Sequence, residues 1–192
     1  MRIVKLDEQS RANILADLLK RDPNNYSAYE GTVQEIVDDV RARGDEALFE
    51  YTKKFDGAEL SADNIRVTQA EIQEALSQVD PNLLAVMKKS MKNIREYHEK
   101  QKQYSWFDSK PNGTILGQKV TALSSVGVYV PGGKAAYPSS VLMNIIPAEV
   151  AGVEKIVMVT PPGKDGKVNP VTLIAAHLAG ATEVYKVGGA QA

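Results

Sequence analysis

Between Val126 and Val187 three short apolar runs alternate with two helical segments, and no other property of the chain narrows its fold as far. The runs, at residues 126–130, 155–160 and 183–187, are rich in β-branched side chains and too short for helices, so they read as buried strands. The first intervening helix starts near Pro138, and Pro147 within it is expected to kink or split it. The second is opened by Asn169-Pro170, a capping side chain before a proline at the first helical position, and closed by Gly180. Strands joined through helices run parallel. The predicted fold class is therefore α/β, with a β-α-β-α-β unit that forms one half of a doubly wound, Rossmann-like sheet. Ligands bind such sheets beyond the carboxyl ends of the strands. There the sequence places Pro131-Gly132-Gly133, Pro161-Pro162-Gly163 and Gly188-Gly189.

Before this unit the grammar is helical, over residues 8–103. Thr32-Val33-Gln34-Glu35 and Thr68-Gln69-Ala70-Glu71 both fit a capping box. Asp80-Pro81 opens a helix that carries Leu84, Met87, Met91, Ile94 and His98 as one stripe facing a neighbour. Gly44 is expected to separate two helices, with Asp45 capping the second. An extended piece at 65–67 is expected to pair with a later strand, and a hairpin is expected across 114–120 and 121–125. The charged stretch 88–102 reads as a solvated helix face. The expected division is a mainly helical region at 1–112 and the first half of a Rossmann-like domain at 113–192. A last strand, a diglycine turn and the first turn of a helix close the sequence. A parallel strand needs a further crossover to cover it, so the sequence is expected to be the front portion of a larger protein.

Composition excludes several function classes. The chain has no cysteine, which removes disulfides, thiolate zinc sites and thiol nucleophiles. Its net charge is −1 with basic residues scattered, which argues against a phosphate-neutralising nucleic-acid surface. No apolar run approaches the ~20 residues of a membrane helix, and no secretory signal opens the chain. The expectation is a soluble, cytoplasmic protein with no nucleic-acid or membrane partner.

Individual residues support less. The loop ending in Gly132-Gly133-Lys134 is not a P-loop, because Val128 stands where the first glycine is needed and Ala135 follows the lysine. The two glycines make either a ligand-binding loop or a tight turn. Tyr129, at a strand's carboxyl end, can stack on a flat ring with its hydroxyl toward a ligand, or be a core aromatic. Gln191 can donate and accept toward a ligand or be an ordinary helix-start residue. His98 and His177 read as packed histidines, Ser139-Ser140 as a cap or a phosphate contact, and no metal-ligand spacing occurs.

Taken together, some segments are more specific. Val126-Gly127-Val128-Tyr129-Val130-Pro131-Gly132-Gly133, Ala136-Tyr137-Pro138-Ser139-Ser140-Val141-Leu142-Met143, Pro147-Ala148-Glu149-Val150-Ala151-Gly152 and Val187-Gly188-Gly189-Ala190-Gln191-Ala192 closely resemble histidinol dehydrogenase. Val40-Arg41-Ala42-Arg43-Gly44-Asp45-Glu46-Ala47-Leu48 and Lys53, Phe55 and Asp56 are similar to that family's N-terminal region.

The resemblance implies an enzyme a little over twice this length, a homodimer that oxidises L-histidinol through histidinal to L-histidine with two NAD molecules and zinc. It implies NAD contacts at Tyr129 and Gln191. It also implies that the zinc ligands, the catalytic histidine and glutamate, the histidinol contacts and a further NAD-contacting asparagine lie in the later part of the family's sequence. No catalytic or metal residue is assigned here, and the chain alone is expected to be inactive. The alternative is a stand-alone, non-catalytic nucleotide-binding or dimerisation module.

Overall fold

A computed structural model describes residues 5, 7–12, 26–132 and 136–192, so Gly133 and Lys134 lie outside the described residues. Helices α1 (Ser27–Arg43) and α2 (Asp45–Asp56) are followed by α3 (Gln69–Gln78) and α4 (Pro81–Glu99). A hairpin of β1 (Trp106–Ser109) and β2 (Ile115–Gln118) leads into β3 (Ser125–Tyr129), α5 (Pro138–Val150), β4 (Lys155–Val159), α6 (Pro170–Ala179) and β5 (Glu183–Tyr185). A 3-10 turn, Gly189–Gln191, follows β5.

Strands β3, β4 and β5 form a parallel sheet in that order, as the alternation predicts. With sequential order and right-handed crossovers, both connecting helices fall on one face, and α5 and α6 pack against each other there. Val128 and Val130, Ile156 and Met158, and Val184 point to that face and are buried with Ile145, Ile146 and Ile174. Helix α4 packs on α5 and α3 packs on α6, so these two helices form a further layer over the same core. The stripe on α4 makes this contact: Met87 is buried, and Leu84, Met91 and Ile94 pack against the core.

Local signals decide most helix ends. Thr68 Oγ1 accepts from the Glu71 N–H at 3.2 Å while Glu71 Oε2 accepts from the Thr68 N–H at 2.8 Å, a complete capping box. Asp80 Oδ1 accepts from Asn82 N–H, and Asn169 Oδ1 from Val171 and Thr172 N–H. Gly180 ends α6 in the left-handed conformation at φ 99°. The extended piece is also present. Val67 N–H donates to Val184 O and Lys186 N–H donates to Ile65 O, both at 2.9 Å. This antiparallel bridge covers the β5 edge of the sheet.

Five local expectations are corrected. Thr32 does not open a helix, because α1 already begins at Ser27 and runs through it. Asp45 is the first residue of α2 and makes no cap; Gly44, at φ 61°, is the cap position. Pro147 does not split α5, which continues to Val150. Proline forfeits one backbone hydrogen bond, and the burial of Ile145, Ile146 and Val150 around it outweighs that loss. Ser139 and Ser140 are not caps: the cap position is Tyr137, whose side chain makes no capping bond. The hairpin pairs Trp106–Ser109 with Ile115–Gln118 rather than lying across 114–125. Its turn is fixed by Gly113 at φ 85° and by Asn112 Oδ1, which accepts from Thr114 N–H at 3.0 Å.

Candidate cofactor site

The three parallel strands end together, and the loops that follow them meet at Pro161. A Cβ at Gly132 would lie 2.7 Å from Pro161 Cγ, and one at Gly188 would lie 2.6 Å from Pro161 Cβ. The pyrrolidine ring is therefore packed against two residues that must lack side chains. The glycines Gly132 and Gly188 thus have a packing role that spacing alone did not reveal.

Tyr129 ends β3 on the sheet face opposite α5 and α6 and is 48% exposed, so it is not a core aromatic. Its hydroxyl accepts a hydrogen bond from the Gly189 N–H at 3.3 Å. This bond joins the loop after β5 to the end of β3, across β4. Two segments singled out from the sequence, Tyr129 and the Gly188-Gly189 turn, are thereby brought together.

Gln191 lies two residues further on and is only 3% exposed. The 3-10 turn carrying it packs against α1 and α2, which buries the side chain. Its Oε1 and Nε2 are buried without a hydrogen-bond partner. Unpaired buried amide atoms are costly, so this side chain is primed for a polar partner. Gly189, at φ 66°, makes room for it: a Cβ there would lie 2.4 Å from Gln191 Oε1.

A cleft of about 420 Å3 opens on the same strand edge. Gly132, Thr160 and Pro161 line one side, Asn169 at the start of α6 another, and Glu74 and Gln78 of α3 a third. Lys167 crosses this cleft to Glu74, with Nζ 2.7 and 2.8 Å from the two carboxylate oxygens. Neither Tyr129 nor Gln191 lines it. A half-exposed ring and a glycine-bordered cleft at one strand edge suit a dinucleotide in kind, while the unsatisfied Gln191 amide is buried beside them against α1 and α2.

Behind the Gly188-Gly189 turn stands an ion pair that the sequence reading missed. Lys186 is 4% exposed, and its Nζ lies 2.6 Å from Glu71 Oε1. Burial raises the Glu71 pKa, but the bonds from Lys186 and Thr68 outweigh it and leave the carboxyl below its ordinary range. The available signal was period two, which puts Lys186 on the buried face with Val184, where a lysine requires a carboxylate.

Neither histidine joins the site. His98 is half-buried on α4 with Nδ1 2.6 Å from Gln101 Oε1. His177 is exposed, so the expectation of a packed residue does not hold for it. It borders a second cavity of about 500 Å3 with Arg66, Thr68 and Glu183, at the amino-terminal end of β5. Among the described residues no group of three His, Asp or Glu side chains is placed to hold a metal ion, so they offer zinc no site. No helix among them is long and apolar enough to cross a membrane.

The sequence profile of the histidinol dehydrogenase family matches residues 19–192. The chain belongs to that family. It is 59% identical over 161 residues to histidinol dehydrogenase of Bacillus subtilis, covering 84% of this chain and 37% of that protein. It is 57% identical over 160 residues to the Heliobacterium mobile protein of the same name, covering 83% and 38%. The crystal structure of histidinol dehydrogenase from Elizabethkingia anophelis superposes with a TM-score of 0.79 at 36% identity, over 85% of this chain and 37% of that one. The chain thus spans under two fifths of the length of these relatives. It corresponds to their N-terminal part.

Proposed function

We propose that this chain is the NAD-binding front portion of an enzyme that oxidises L-histidinol through histidinal to L-histidine. The observation that carries the reading is the hydrogen bond from Gly189 N–H to the Tyr129 hydroxyl. It unites, at the carboxyl edge of a parallel sheet in a histidinol dehydrogenase family chain, two segments expected to contact the cofactor. The Tyr129 ring offers a flat apolar surface, Gln191 an amide that lacks partners, and the glycine turns a close backbone approach. Bound NAD supplies the hydride acceptor; the described residues bind and orient it, and none of them serves as base.

Zinc, the proton-transfer groups and the histidinol contacts belong to the remaining portion of the enzyme. The division into a helical region at 1–112 and a half Rossmann-like domain at 113–192 is part of the same proposal. So are a cytoplasmic location and a dimeric whole enzyme.

The test is L-histidinol-dependent NAD reduction with zinc supplied. The chain alone is expected to give none, and activity is expected when it is co-expressed with the C-terminal portion of a relative. In that reconstituted enzyme Tyr129→Ala should raise the KM for NAD about tenfold or more while zinc content stays unchanged. Loss of zinc with an unaltered KM for NAD would overturn the assignment of Tyr129. Sustained turnover by the chain alone would overturn the placing of the catalytic groups.

A further inference from the structure

The β1–β2 hairpin has no hydrophobic interior. Both strands are exposed along their whole length. An antiparallel pair with one face on a core and one in water alternates apolar and polar residues. This pair does not. The register Trp106↔Gln118, Phe107↔Gly117, Asp108↔Leu116 and Ser109↔Ile115 puts Trp106 and Leu116 on one face, Phe107 and Ile115 on the other. All four are more than half exposed. Phe107 stands opposite Gly117, where a Cβ would come 2.4 Å from Phe107 Cδ1, so even this ring has only a glycine as its cross-strand neighbour.

Each strand also has the other as its only ladder partner among the described strands, leaving two open edges. An isolated two-stranded hairpin is marginal in water. The flanking Tyr104 and Leu123 are 76% and 67% exposed and extend the apolar surface.

We propose that this hairpin is the docking element for the C-terminal portion of the histidinol dehydrogenase chain, which encloses it on both faces. The inference rests on the reading under Proposed function. Two features select this occupant. Apolar groups on both faces and an open edge on each strand demand a cover that wraps the hairpin, whereas a two-fold contact with a second copy applies one patch to one patch. The relatives supply such a cover, since more than half of their length lies outside the part this chain matches.

Trp106 is the only tryptophan of the chain and reports on the hairpin directly. The 192-residue chain is purified alone and after co-expression with a tagged C-terminal portion of the Bacillus subtilis relative. Trp106 emission, its quenching by acrylamide, and co-purification are measured, with Phe107→Asp/Ile115→Asp and Trp106→Ser/Leu116→Asp as the two variants. Because all four residues are exposed, both variants should keep the far-ultraviolet dichroism of the parent. The expected result is solvent-like Trp106 in the free chain, a blue shift and at least threefold less quenching in the complex, and at least tenfold less co-purification for each variant. Co-purification and histidinol-dependent NAD reduction that neither variant disturbs would overturn the docking role and leave the functional reading intact. A blue shift that appears on self-association of the chain alone would make a second copy the occupant and overturn it too. Failure of even the parent chain to co-purify or restore activity would overturn both readings.

Discussion

At the residue scale, two carboxylates with opposite pKa shifts make opposite predictions. Glu71 is held below its ordinary 4.5, so its contribution to stability is complete above that pH and is lost as pH falls through the lower folded value. At pH 7, Glu71→Gln should cost about 3 kcal/mol, because it leaves Lys186 buried without a counter-charge. Urea unfolding measures this, and adding Lys186→Met should recover most of the loss. Asp56 differs. Burial raises its carboxyl above the ordinary 3.8, and its Oδ2 has no partner at the C-terminal end of α2, where the helix dipole also disfavours negative charge. The cost of its ionised form is absent below 3.8, grows as pH rises from there and is complete above the folded value. Asp56→Asn should therefore stabilise the chain at pH 7, with the gain disappearing near pH 4.

At the element scale, the strand ends converge because Gly132 and Gly188 admit Pro161 between them. Gly188→Ala should cost about 1–3 kcal/mol, the penalty for overpacking against a rigid ring. Pro161→Ala in the same chain should relieve part of it, and thermal unfolding of the three variants checks the coupling. Much of the fold at this scale was legible in the sequence. The Thr68-Glu71 box, the Asp80 and Asn169 caps and the Gly180 terminus are local signals, and each acts where the sequence puts it. The hairpin was misplaced because residues 104–125 carry no alternation to fix a register. That alternation is missing because apolar and polar residues stand on both faces.

At the scale of the molecule, two helical layers are attached in different ways. Helices α3 and α4 pack broadly on α6 and α5, while α1 and α2 meet the rest mainly at the Gly189–Gln191 turn. A chain ending at Gly188 should therefore lose amide-exchange protection in α1 and α2 while keeping it in β3–β5 and α5–α6. Hydrogen exchange read by mass spectrometry tests this. Equal loss of protection throughout would mean that the turn supports the whole core.

What the sequence determined by itself was the local and the periodic: strand–helix alternation, the caps at Thr68, Asp80 and Asn169, the parallel order, and the family to which its motifs belong. These depend on neighbours within a few residues, or on a period that short segments carry. What only the tertiary structure decided were meetings between distant segments. Pro161 lies between two glycines, the Tyr129 hydroxyl meets the Gly189 amide, Glu71 neutralises Lys186, and the Gln191 amide is buried beneath α1 and α2. Each pairs residues at least 27 positions apart, where only the packing of the sheet and its helices sets the distance.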